Sequence, residues 1–160
     1  YIPYKKMKKV ILITGGSSGI GKAIGEFLLE KGFIVYGTSR NASAISNSKI
    51  KLVDLDVRNS DSIKACIARV LELEGRIDVL INNAGVGITG PLEEIPLEEI
   101  KNNFETNVFG PIETMKAVLP QMRIQKSGLI INITSKKFFS SVKFPKQIFI
   151  PYVIRSPPDV

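Results

Sequence analysis

Thr14-Gly15-Gly16-Ser17-Ser18-Gly19-Ile20-Gly21 is the stretch of this sequence whose residue types and spacing could do chemistry. An apolar run, Val10 to Ile13, leads into it, and Ile20, Ala23, Ile24, Phe27 and Leu28 follow at helical spacing. A strand that ends in a glycine-dense turn and opens directly into a helix leaves the first helical N–H groups without intrahelical acceptors. Those groups point outward at the positive end of the helix dipole. Such a terminus attracts anions, and the glycines let a pyrophosphate come close to the main chain. An ordinary tight strand-to-helix turn has the same spacing, so the turn alone does not decide the matter.

The elements that must position this turn follow in regular alternation. Phe33 to Thr38 reads as a second strand after the helix-stopping Gly32, and Ile50 to Leu55 as a third. Asn59, Ser60 and Asp61 offer N-cap chemistry for a helix with Ile63, Ile67, Val70 and Leu71 on one face, which Gly75 ends. Ile77 to Asn82 is the fourth strand. A long helical region from about Pro96 to Gln125 reads as two helices meeting near Gly110-Pro111, and Leu129 to Ile133 is the fifth strand. Apolar strands separated by amphipathic helices predict an α/β fold, a Rossmann-like doubly wound parallel sheet with its ligand at the carboxyl ends of the strands. The sheet is expected to be truncated after the fifth strand.

In that fold the end of the second strand meets the adenosine ribose, about 20 residues past the glycine turn. An acid there would bind the ribose 2′-hydroxyl and repel a 2′-phosphate. This chain has Ser39-Arg40, and a guanidinium fork suits phosphate, so NADP is expected in preference to NAD. Asp56, just beyond the third strand, is placed to accept a hydrogen bond from the adenine amino group, although an ordinary loop acid would read the same way.

Composition narrows the remaining classes. The formal charge of +7 is concentrated in residues 1–10 and 136–160, leaving a near-neutral middle, so no nucleic-acid partner is expected. With no histidine, hydrolases built on a Ser-His pair are excluded and no metal site is expected. The single cysteine, Cys66, lies among helix-period apolar positions and reads as buried filler in a reducing compartment. The N-terminal apolar run stops at Thr14, short of a signal-peptide core, and no run approaches the ~20 residues of a membrane span. A cytoplasmic protein without membrane association is expected.

The ordered set Thr14 to Gly21, Asp54-Leu55-Asp56-Val57, Asn82-Asn83-Ala84-Gly85, Asn107-Val108-Phe109-Gly110 and Ile131-Asn132-Ile133-Thr134-Ser135 resembles the short-chain dehydrogenase/reductase family. The resemblance covers residues 7–135, taken as the NADP-binding domain; residues 136–160 read as a non-family, irregular tail. It implies an oxidoreductase that exchanges hydride between NADP and a small-molecule alcohol or carbonyl. Thr14, Gly15, Ser17, Ser18, Gly19, Ile20, Gly21, Ser39, Arg40, Asp56 and Val57 would hold the cofactor. Asn83, Ala84 and Gly85 would run past the adenosine and help fix the sheet. Asn107 would distort the long helix and hold a water in a proton relay, and Ser135 would bind the substrate oxygen.

The resemblance breaks after Ser135. The family's tyrosine acid stands thirteen residues after that serine and its lysine partner four further on; here those positions are Ile148 and Tyr152. Pro151, Pro157 and Pro158 discourage the helix that would carry such a pair. The residues therefore favour a catalytically inactive fragment of an oxidoreductase. A non-catalytic dinucleotide-binding module and a defective truncated gene product are the alternatives. The fifth strand would be an exposed edge, and the family's oligomer interface would be incomplete.

Overall fold

Val10–Ile13 (β1) sends alternate side chains into two apolar layers: Val10 and Leu12 enter one, Ile11 and Ile13 the other, and all four are buried. A strand buried on both faces requires parallel neighbours joined by helical crossovers, because only covered sheets hide both rows of side chains. The computed structural model, which describes residues 7–134 and 152–155, has this arrangement. The helix α1 (Gly19–Glu30) returns the chain to β2 (Ile34–Ser39), and a 3-10 turn at Ala42–Ala44 leads to β3 (Lys51–Asp54). The helix α2 (Ser60–Glu74) crosses to β4 (Val79–Asn82), and β5 (Ser127–Asn132) follows α3 (Leu97–Phe104) and α4 (Gly110–Ile124).

The strand order is β3-β2-β1-β4-β5, all parallel, with Leu12 opposite Tyr36 on one side and Leu80 on the other. Helices α2 and α4 cover one face, where Ile63, Cys66, Ile67 and Val70 meet Leu12, Leu80, Val118, Met122 and Ile130. On the opposite face Ile24 and Leu28 of α1 pack against Ile11, Ile13 and Val35. The sheet is therefore doubly wound. The chain reverses direction across the sheet between β1 and β4, and their carboxyl ends bound a crevice.

Local chemistry sets the helix limits. The Asn59 side chain accepts from the N–H groups of Asp61 and Ser62, both at 2.9 Å, and starts α2; Gly75 ends it with its N–H on the Leu71 carbonyl. The expected junction near Gly110-Pro111 is a helix that runs on without a break, since α3 passes into α4 through a π-helical turn at Glu105–Phe109. Such bulges accommodate an inserted residue and recur at functional sites.

One edge differs from the expectation. A short strand, β6 (Tyr152–Arg155), lies antiparallel to β5, with Leu129 opposite Val153 and Ile130 opposite Tyr152. The parallel part of the sheet ends at β5 as expected, but the backbone edge of β5 is paired and not open. The run Tyr-Val-Ile-Arg has the β-forming character that such pairing favours. The rest of the segment read as an irregular tail lies outside the described residues. No helix among the described residues is long and apolar enough to cross a membrane.

Cys66 is 2% exposed, and burial, with a smaller contribution from the Asp54 charge, pushes its thiol up to about 12. Iodoacetamide at pH 8 is therefore expected to leave Cys66 unmodified in the folded chain and to label it fully in denaturant. Equal labelling under both conditions, read by mass spectrometry, would show that this layer is not packed as described.

Candidate dinucleotide-binding site

The glycine turn is held by the exit of β4. Thr14 is 1% exposed, and its Oγ1 accepts the backbone N–H groups of Asn83 and Ala84, each at 3.0 Å. Its own N–H donates to the Ile81 carbonyl at 2.9 Å. The Asn83 amide nitrogen reaches back to the carbonyls of Thr14 (3.0 Å) and Gly15 (3.1 Å). The N–H of Gly15 donates to Thr38 Oγ1 at 3.1 Å, which ties the turn to β2 as well. Thr38 is a buried contributor that the sequence reading passed over, since a threonine in a strand reads only as a β-former.

Two glycines show why the turn needs this composition. A Cβ on Gly21 would collide with the Gly15 carbonyl and the Asn83 amide, so α1 could not lie this close to the loop with any other residue there. Gly19, the first residue of α1, has φ +53°, and a Cβ there would meet nothing within 4 Å. The N-cap Ser18 makes no side-chain capping bond, and no acid stands in the first turn. The helix thus presents its dipole end to open space without an internal anion to answer it.

That space is an open cleft of about 630 Å³. Gly15, Ser17, Ser18 and Ile20 line it from the turn, Ser39 and Arg40 from the end of β2, Asp56 and Val57 from beyond β3, and Asn83, Ala84 and Gly85 from beyond β4. Fold topology thus brings nearly all of the cofactor residues expected from sequence to one place. Thr14, Gly19 and Gly21 form the turn beneath. Arg40 is exposed, and its guanidinium makes no hydrogen bond or ion pair among the described residues. Asp56 is already engaged: Arg58, a residue the sequence reading did not single out, donates to both carboxylate oxygens. These hydrogen bonds hold the Asp56 carboxyl below the usual carboxylate range, with the charge of Arg40 acting in the same direction.

Asn107 does not line the cleft. It sits within the π-helical turn, where its Oδ1 accepts from Val86 N (2.9 Å) and its Nδ2 donates to Val86 O (2.8 Å) and to Asn103 Oδ1 (3.1 Å). Asn103 Nδ2 also donates to Val86 O at 2.9 Å. Both asparagines therefore hold Val86 of the segment leaving β4, Asn107 by its N–H and carbonyl and Asn103 by its carbonyl alone. Asn103 escaped the sequence reading because a polar residue in a helix reads as a solvated face. Asn82 pairs with Asn132 across β4 and β5 (2.8 Å), and its buried Oδ1 has no partner among the described residues. Ser135 lies outside the described residues. Among the described residues no group of three His, Cys, Asp or Glu side chains gathers to hold a metal.

A helix N-terminus without an internal anion at the switch point of a 3-2-1-4-5 sheet, opening on a cleft of this size, is the arrangement of a dinucleotide-binding fold. The family model for short chain dehydrogenases matches residues 9–146, and the chain belongs to that family. It is 45% identical over 145 residues to a 3-ketodihydrosphingosine reductase of Bacteroides thetaiotaomicron, covering 85% of this chain and 54% of that protein. It is 34% identical over 149 residues to human retinol dehydrogenase 8, with 85% and 47% covered. Among solved structures, a short-chain dehydrogenase from Streptomyces avermitilis superposes with a TM-score of 0.76 at 40% identity, covering 81% of this chain and 50% of that one. ElxO with NADP bound gives 0.71 at 34% identity, with 81% and 56% covered. The chain spans about half the length of the curated relatives it matches.

Thr14→Val keeps the shape of the side chain and removes the acceptor for two N–H groups. It is expected to destabilise the fold by about 1–3 kcal/mol in urea unfolding, the cost of leaving such donors without partners. An unchanged denaturation midpoint would mean that the turn is held by something else.

Proposed function

We propose that this chain is the NADP-binding portion of a short-chain dehydrogenase/reductase that acts on an alcohol or carbonyl group. The observation that carries the reading is the placement of Arg40, a guanidinium without an ion-pair partner among the described residues, on the same cleft as the open N-terminus of α1. The helix terminus and the hydroxyls of Ser17 and Ser18 would receive the pyrophosphate, and Arg40 the 2′-phosphate. Val57, Ala84 and Gly85 would border the adenosine, with Asp56 at the adenine amino group. When bound, NADP supplies hydride exchange at its nicotinamide.

The protein groups needed on the substrate side are only partly present. Ser135 would hydrogen-bond the substrate oxygen. The relay role that the resemblance gives Asn107 would fall to its main chain, since both side-chain donors are taken by Val86 and Asn103. Ile148 and Tyr152 stand where the family has its tyrosine acid and lysine. General acid–base transfer of this kind contributes about 10²- to 10⁴-fold in rate, so the chain by itself is proposed to bind cofactor without turning over carbonyl substrate.

Titration by cofactor fluorescence tests the reading. NADPH is expected to bind with saturation at one site, and more tightly than NADH. Arg40→Gln is expected to weaken NADPH about tenfold, the loss of a charge-assisted contact, while changing NADH less than twofold. Absence of NADPH binding, or equal weakening of both cofactors in Arg40→Gln, would overturn it. Carbonyl-dependent oxidation of NADPH would overturn the non-catalytic part alone.

A further inference from the structure

Two arginines, not one, border the adenosine end of the cleft. Arg58 stands two residues beyond Asp56 and folds back onto it, with Nε 3.1 Å from Oδ1 and Nη2 2.8 Å from Oδ2. Its backbone N–H donates to the same Oδ1 at 3.0 Å. The pair is open to solvent, with side-chain exposures of 40% and 30%, and both residues line the cleft alongside Arg40. Nothing in the core depends on Arg58, and an exposed ion pair of this sort adds little to stability. Its place beside the cofactor residues is what gives it a consequence.

The consequence is one of charge. A carboxylate set near Arg40 would cancel much of the field that a 2′-phosphate, bearing close to two negative charges, needs to meet. Pairing Asp56 with a second guanidinium leaves this end of the cleft with two positive groups and one negative. The acid keeps some acceptor capacity as well: a carboxylate offers about four lone-pair sites, and Arg58 takes three. One adenine amino donor can still be received.

We propose that Arg58 is a specificity-setting positioning residue, which neutralises Asp56 so that Arg40 can select a phosphorylated ribose while Asp56 remains oriented toward the adenine. This rests on the NADP reading above. It predicts that cofactor preference depends on Arg58 only for as long as residue 56 is an acid. A purely structural Arg58 would affect both cofactors alike, whether or not that acid were present.

The experiment compares dissociation constants for NADPH and NADH in the unaltered chain, Arg58→Gln, Arg58→Lys, and the double variant Asp56→Asn with Arg58→Gln. Arg58→Gln is expected to reduce the NADPH-over-NADH preference about threefold, the scale of one partly screened charge, with NADH affinity retained. Arg58→Lys should keep most of the preference, and the double variant should restore it. An unchanged preference in Arg58→Gln, equal loss of both cofactors, or a double variant no better than Arg58→Gln would overturn the proposal. Failure of the unaltered chain to bind NADPH would overturn the NADP reading itself, and shows in the first titration.

Discussion

The Thr14 hydroxyl, accepting two backbone N–H groups from the segment that leaves β4, is the contact on which the rest of this structure depends. β1 and β4 are neighbours whose connections run to opposite sides, so their carboxyl ends would separate if each followed its own loop. Thr14 joins them at the point of divergence, and Asn83 completes the joint by donating to two carbonyls of the turn. The turn is thereby fixed with its N–H groups outward. Close approach of Gly21 then brings α1 against the loop, and the cleft lies over the resulting helix terminus. Core packing places the strands, but this small polar joint gives their ends a usable shape.

The same joint explains how polar residues come to be buried in a protein with so apolar a sheet. Thr14 and Thr38 lie at the carboxyl ends of strands, each nearly inaccessible to solvent. Buried polar groups are tolerated where they have partners, and these two answer backbone N–H groups of the segment leaving β4 and of the glycine turn. A second polar joint sits one step outward, where Asn103 and Asn107 hold the main chain of Val86. Asn107 reaches that residue from the π-helical turn, which carries the long helix on without a break. Side-chain-to-backbone bonds thus tie the glycine turn to the exit of β4, and the segment beyond β4 to α3 and the π-helical turn.

Much of this was legible in the sequence, for reasons specific to each residue. Val10–Ile13 and the strands beside it read as apolar runs because parallel strands are covered on both faces. The glycine turn and Arg40 could be located because the fold fixes their separation along the chain. Arg58 could not be recognised in this way, since an arginine next to a helix N-cap looks like a solvated charge until its fork is seen closed on Asp56. Thr38 and Asn103 were hidden for the same reason: their partners are distant in sequence and belong to the backbone, which leaves no pattern of residue types. The strand β6 depends on a pairing across more than twenty residues, and its flanking prolines argued for irregular chain.

One cleft, built by the Thr14 joint, is proposed to receive the cofactor. Hydrogen exchange measured by mass spectrometry with and without NADPH is the test. Added protection is expected in residues 14–21, 38–40, 55–58 and 82–86, the turn and the strand ends that border the cleft. Protection elsewhere with these four segments unchanged, or no change at saturating NADPH, would rule this out.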